Sequence, residues 1–72
     1  MRITIVVPDN VVIVDGVKHA VDCSQFAGIH AVQWFDTVGD IEFVYDPDTR
    51  TKPLNETIHS LDQFQPVLDG LI

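Results

Sequence analysis

The sequence predicts a mainly β domain with a small α part. We expect an antiparallel meander of four or five short strands, either an open sheet or a small barrel, with a short C-terminal helical segment. Short runs rich in Val and Ile alternate with clusters of Pro, Gly, Asp and Asn. Asp15-Gly16 lies between two such runs, which is the pattern of a tight hairpin. Near the C-terminus, Pro66 limits the length of the one helical pattern.

The chain has 72 residues, of which 46% are apolar, and this predicts a single globular domain over residues 1–72. So short a chain has a small core, and its one cysteine, Cys23, cannot form an internal disulfide. We therefore expect tight β packing or weak self-association to supply stability.

The first half of the chain contains three predicted strands. Residues 2–7 and 11–14 are strands joined by the turn Pro8-Asp9-Asn10. The second strand is apolar at every position, which places it centrally in the sheet or at a self-association surface. Asp15-Gly16 predicts a type I′ turn, because such a turn needs positive φ at both central residues. The chain then returns as a strand over Val17 to Val21 or Asp22.

The pattern in the middle of the chain predicts a hairpin, which would be central in the sheet. Cys23 to Gly28 is a connection, with Phe26 tucked beneath it. Ile29 to Phe35 is the next strand, and Ile41 to Tyr45 is its partner. Between them, Asp36 to Asp40 is a loop of hairpin length that places its glycine in the left-handed conformation.

The last third predicts turns followed by a short helical piece. Residues 46–53 are expected to form an exposed, mobile loop, and Leu54 to Ile58 a short extended segment. Ser60 to Gln63 has the form of a capping box. The helix is broken or restarted at Pro66 and ends at Gly70. Its apolar residues should face the sheet: Phe64, Val67, Leu68 and Leu71.

The formal net charge is −7, and it is concentrated in the second half. Residues 1–35 have a net charge of −1, and residues 36–72 have a net charge of −6. This distribution argues against binding nucleic acid or an anionic membrane, since both need clustered Lys and Arg. It is compatible with an acidic module that binds a basic surface of another protein as a nucleic-acid mimic would.

No catalytic, cofactor-binding or metal-binding residues are predicted. His19, His30 and His59 lie in three different predicted elements, and no two have a local ligand spacing. Cys23 and any one of the histidines could be a nucleophile and its base, but nothing in the sequence indicates a third orienting group, an oxyanion site or a cleft. We therefore expect a protein that is not an enzyme and has no cofactor.

Trp34, Phe35 and Tyr45 form the candidate protein interface. They lie on the two strands of the central hairpin, and aromatic residues dominate binding hot spots. Two interpretations of Trp34 remain open. It is either the largest packing unit of the core or an exposed interface anchor.

Three segments resemble small proteins encoded by tailed bacteriophages and prophages near tail and tail-fibre genes: Val12–Gly16, Ile29–Trp34 and Gly39–Phe43. The resemblance extends from the first strand to about Pro53. The family has no established activity, so the resemblance implies a setting and transfers no site residue.

This setting implies a phage tail or assembly protein as partner, and a location in the cytoplasm of the bacterial host or in the virion. Arg2 and the short apolar run that ends at Pro8 do not form the expected pattern of a secretory signal. Neither nucleic acid nor a membrane is expected as a partner, and weak homo-oligomerisation is compatible with the small core.

Overall fold

The computed structural model describes residues 1–71 and contains one open six-stranded antiparallel sheet in the order β3-β2-β1-β4-β5-β6. The mainly β class, the antiparallel pairing and the short C-terminal helical segment are confirmed, and the sheet is open. One strand more than predicted is present. The strands are β1 (Arg2–Val6), β2 (Val11–Val14), β3 (Val17–Ala20), β4 (Ile29–Phe35), β5 (Val38–Phe43) and β6 (Glu56–Ile58).

The sheet consists of two three-stranded meanders joined through β1 and β4. After β3 the chain does not add a neighbouring strand. Residues 21–28, with a 3₁₀ turn at Ser24–Phe26, return the chain to the free edge of β1. There β4 pairs antiparallel with β1, with Ile3 opposite Trp34 and Ile5 opposite Val32. This pairing makes β1 and β4 the two central strands.

The C-terminal segment packs against one face of the sheet, which we call the covered face. A 3₁₀ turn at Asp62–Phe64 leads into α1 (Gln65–Leu68), with Pro66 in its first turn, and Gly70, with φ of 82°, lies two residues beyond the end of the helix. A proline is tolerated there because the first-turn amides have no partner within the helix. The predicted restart at Pro66 is confirmed to within one residue, and the helix ends at Leu68, two residues before the predicted end at Gly70.

The core lies between this segment and the sheet. Phe64 is fully buried, and its ring contacts that of Phe26 at a centroid distance of 5.0 Å. Val67 and Leu68 are also buried, and Leu71 packs against the core, as predicted. The sheet contributes the other large core side chains: Ile3, Ile5, Val12, Val32, Trp34, Ile41 and Ile58.

The turn at Asp15-Gly16 is confirmed, with φ of 47° and 87° at its two residues. The prediction for the central hairpin was wrong in its turn. Gly39 is not left-handed but lies inside β5, and the tight turn is Asp36-Thr37, with φ of 54° at Asp36. Asp tolerates this conformation better than most residues, so the glycine is not needed for the turn.

Gly39 is required for packing instead. It lies opposite Trp34 in the β4–β5 pairing. A Cβ at this position would be 2.6 Å from the carbonyl oxygen of Gln33 and 2.9 Å from Cε3 of Trp34. The missing side chain therefore makes the space that the indole occupies.

The predicted capping box is also wrong. The hydroxyl of Ser60 accepts a hydrogen bond from the amide of Asp62 at 3.1 Å, not from that of Gln63. The first helical residue is Asp62, so Ser60 lies one position too early to cap the turn. Its bond is the short local kind that Ser forms in turns.

An exposed loop is present as predicted but extends over residues 46–55, since β6 begins at Glu56 and not at Leu54, and a bridge between Asp46 and Thr51 closes its first part. Within the part of the chain that the structure describes, no helix is long and apolar enough to cross a membrane.

Candidate functional site

The three histidines are on separate parts of the fold. His19 is in β3, His30 is in β4, and His59 follows β6. Among residues 1–71 no group of three or more His, Cys, Asp or Glu side chains is arranged to hold a metal ion. The structure therefore does not bring the titratable side chains together into one centre.

Cys23 is a buried part of the core. Its side chain is fully buried and its thiol donates to the carbonyl oxygen of Val21 at 3.3 Å. Its amide donates to the side-chain oxygen of Asn10 at 2.9 Å, which ties the connection to the first turn. Burial raises the pKa of the Cys23 thiol, with a smaller contribution from the nearby Asp22. This environment disfavours the reactive thiolate.

The aromatic candidates do not form one surface. Trp34 is only 8% exposed and belongs to the core, which favours the interpretation as a packing unit. Phe35 is 63% exposed and Tyr45 is 54% exposed. Phe35 is the last residue of β4, beside the turn, whereas Tyr45 lies two residues beyond the other end of β5 and not inside the strand, as the sequence predicts. Two of the three predicted interface residues, Phe35 and Tyr45, therefore have exposed rings, and these rings lie in different parts of the hairpin.

The face of the sheet opposite the core is not covered by the C-terminal segment, and we call it the open face. Successive side chains of a strand alternate between the two faces, so the neighbours of the core residues point there. Their exposure ranges from half-buried to exposed except for Ala31, a small side chain that is buried yet outside the core cluster. The open face includes Arg2, Thr4, Val6, Val11, Ile13, Lys18, Ala20, Ala31, Gln33, Phe35, Val38, Asp40, Glu42 and Thr57.

One row of side chains crosses the open face on all six strands. Each member is the cross-strand partner of the next, and the row ends in a cation on β3 and in an anion and a hydroxyl on β5 and β6. A second row, one pair along, is apolar from β3 to β4 and acidic at β5. The first row is Lys18, Ile13, Thr4, Gln33, Asp40 and Thr57, and the second is Ala20, Val11, Val6, Ala31 and Glu42.

The acids of these rows have polar neighbours. The hydroxyl of Thr57 donates to Asp40 at 3.1 Å. The side-chain amide of Gln33 donates to Glu42 at 3.3 Å, and Nδ1 of His30 lies 3.7 Å from the other carboxylate oxygen of Glu42. A bulge between Ile29 and Ala31 brings His30 to this position. The negative charge of the open face is thus concentrated on β5.

A shallow groove of about 340 Å³ lies where β4 and β5 approach their turn, and we call it the tip groove. Phe35 and Val38 are its apolar wall, and Arg2 and Asp40 provide opposite charges. Val38 is 42% exposed. The remaining lining comes from Gln33, Trp34 and Gly39. The groove offers an apolar contact flanked by both signs of charge.

Sequence reasoning identified Phe35 but missed Val38 and the two rows. Val38 was placed in a loop, and the start of β5 at this residue puts its side chain beside Phe35. The signal available was the mixed character of Ile29 to Phe35, in which neither face is cleanly apolar. A strand between a core and a partly apolar open surface has this composition.

Comparisons with protein-family models, with curated proteins and with solved structures gave no match to this chain.

Proposed function

We propose that the chain is a non-enzymatic bacteriophage or prophage protein that acts as a protein-interaction or tail-assembly accessory. It would work in the cytoplasm of the bacterial host or as part of the virion. The resemblance of the strand and hairpin segments to small tail-region proteins supports the setting. The proposed partner is another protein of the tail module.

The tip groove is the observation that carries this proposal. Phe35 is 63% exposed at the last residue of β4, and Val38, its partner at the start of β5, extends the same apolar surface. An aromatic ring held by a rigid strand loses little conformational freedom on binding, which favours it as an anchor. Arg2 and Asp40, which also line the groove, would form the polar rim around that anchor and fix the orientation of the partner.

Co-purification with the products of neighbouring tail genes tests the proposal. Phe35→Ser should abolish capture of the partner, because it removes the apolar anchor. Leu54→Ser is the matched control. Leu54 is 92% exposed but lies in the loop over residues 46–55, away from the groove, so its substitution should leave capture unchanged. Equal loss in both variants, or capture unaffected by Phe35→Ser, would contradict the proposal.

The alternative is an acidic module that binds a basic host protein. The net charge of −7 supports it, but the acids of the second half are spread over β5, the loop at residues 46–55, β6 and the C-terminal segment. A mimic of nucleic acid needs its charges aligned like phosphates. The tip groove supports the first function more strongly. Capture of a DNA-binding host protein that disappears at high salt and survives Phe35→Ser would favour the alternative.

A further inference from the structure

The strand β3 is one of the two edges of the sheet, and the hydrogen bonds show which of its main-chain groups face outward. The amide of Val21 donates to the carbonyl oxygen of Asn10 at 3.0 Å, so residue 21 directs its main chain toward the β2 side. Main-chain groups alternate in direction along an antiparallel strand, so His19 also faces β2. The amides and carbonyls of Lys18 and Ala20 therefore face away from the sheet. Among residues 1–71, no main-chain hydrogen bond outside the strand pairs uses these four groups.

The side chains of the same two residues point to the open face and differ in character. Lys18 is exposed, and no described acid forms an ion pair with it. Ala20 is small and exposed, and its partner on β2, Val11, is only half-buried. An added strand would therefore gain from a carboxylate opposite Lys18. Opposite Ala20, a large apolar side chain would have room to reach Val11.

We propose that the free edge of β3 binds an extended segment of a partner protein, which adds to the sheet as an antiparallel strand. The segment has a carboxylate opposite Lys18 and a large apolar side chain two residues before it, opposite Ala20. Main-chain hydrogen bonds supply the affinity in this mode, and the alternate side chains supply the specificity. The proposal goes beyond the function above, since β2 separates this edge from β1, which carries Arg2 of the tip groove.

A second copy of this chain is a poorer occupant than a partner segment. On its β6, Thr57 alone faces outward by the same alternation, while Glu56 and Ile58 bond to β5. Its β3 would bring two Lys18 side chains to one junction, and a lysine on an edge strand disfavours pairing with its own copy. A segment that binds through its main chain also does not need the wide apolar area that a stable dimer buries.

The acids at the two ends of β3 restrict the charge of the segment. Asp15 accepts a hydrogen bond from the amide of Arg2 at 2.7 Å, and Asp22 accepts one from the amide of Ser24 at 2.9 Å. The hydrogen bonds from Ser24 lower the pKa of Asp22, so this carboxylate stays charged at neutral pH. Both acids would repel further acids in a partner. The segment should therefore have one central acid and neutral or basic residues at its ends.

Fluorescence anisotropy with a labelled nine-residue peptide tests the proposal. The peptide has Leu at its third position, Glu at its fifth, Thr or Val elsewhere and Lys at both ends. It should bind the wild-type protein with a dissociation constant on the order of 100 µM in low salt.

Ala20→Pro should weaken binding by at least about tenfold, because it removes an outward amide and leaves the pairing with β2 intact. Thr57→Pro is the matched control, since it makes the same change on the other edge and should leave binding unchanged. Lys18→Glu should weaken binding about fivefold, and a peptide with Lys in place of its Glu should recover it on this variant to within about twofold. Circular dichroism verifies that each variant folds.

N-methylated peptides test the direction of the hydrogen bonds and need no change in the protein. Methylation of the amide of the peptide's Glu should abolish binding, because this amide donates to the carbonyl of Lys18. Methylation of the residue before it should have little effect, because that amide points away from β3. Equal effects of the two methylations would overturn the proposal.

Absence of binding up to about 1 mM peptide would also overturn it, as would binding that is unaffected by Ala20→Pro. Self-association of the wild type that is lost in Ala20→Pro would identify a second copy as the occupant and would equally reject a partner segment. Phe35→Ser should bind the peptide as the wild type does. Partner capture through Phe35 and peptide binding at β3 therefore fail separately.

Discussion

The two faces of the sheet are made by alternating residues of the same strands, yet they differ in composition and in role. On the covered face Ile3, Ile5 and Val32 are fully buried beneath the C-terminal segment. On the open face their neighbours Thr4 and Gln33 form a partly polar surface with charges at its ends. The comparison indicates that the covered face supplies most of the stability, and it leaves the open face exposed to solvent. Three predictions test this division.

The largest effect should come from truncating a phenylalanine in the core, compared with the same truncation on the open face. Phe64→Ala should destabilise the fold by about 3–5 kcal/mol, because it empties a fully buried site in the core. Phe35→Ala should change stability by less than about 0.5 kcal/mol, since its ring is mostly exposed. Urea unfolding followed by tryptophan fluorescence measures both.

Total stabilities of about 5–15 kcal/mol are usual for single domains, so at the low end of that range, where small domains lie, Phe64→Ala would be close to unfolded. In that case, circular dichroism in the absence of urea measures the fraction of Phe64→Ala that is still folded. A large loss of stability in Phe35→Ala would break the division, because it would mean that the open face also holds the fold together.

A smaller effect is expected at Gly39. Gly39→Ala should cost about 1–3 kcal/mol, because the added Cβ would clash with the backbone of Gln33 and with the indole of Trp34. Val38→Ala, one residue earlier on the exposed side, is the control and should be nearly neutral. Thermal unfolding compares the two, and an emission shift of Trp34 should accompany only the first. Equal stabilities would show that the indole moves aside freely.

The smallest effect concerns Cys23 and appears only at high pH. Burial raises the pKa of the Cys23 thiol above its ordinary value of 9.0, so the unfolded chain ionises first. Stability should be complete below pH 9.0 and should fall as the pH rises from there through the pKa of the folded state. Cys23→Ala should lack this part of the pH dependence, as measured by urea unfolding at pH 8 and at pH 10.

Reaction with a thiol reagent gives an independent reading of the same residue. Native Cys23 should react far more slowly than the urea-unfolded chain. Rapid native labelling, together with equal pH dependence in Cys23→Ala, would show that this side of the core is open to solvent.

Much of the fold was predictable because its signals are local. The bounds of β4 match the predicted strand Ile29 to Phe35, and the turn at Asp15-Gly16 has the predicted positive φ values. The helical restart at Pro66 and the positive φ at Gly70 follow from the backbone chemistry of those two residues. Each of these features depends on a few adjacent residues.

The candidate site was less predictable because its parts depend on register. Starting β5 at Val38 instead of Ile41 moved Gly39 from a turn into a strand and placed Val38 beside Phe35. Aromatic content suggested that Trp34, Phe35 and Tyr45 belong together, but their distances along the hairpin separate them. Composition identifies aromatic residues that could form an interface, but it does not show which of them share a surface.

The sequence by itself determined the β class, most strand positions, the first hairpin and the apolar C-terminal segment, because alternation and turn chemistry act over a few residues. Only the tertiary structure decided that β4 pairs with β1, that Trp34 points into the core and that one face of the sheet stays open. Those outcomes depend on contacts between residues about thirty positions apart, where the burial of whole faces outweighs local preference.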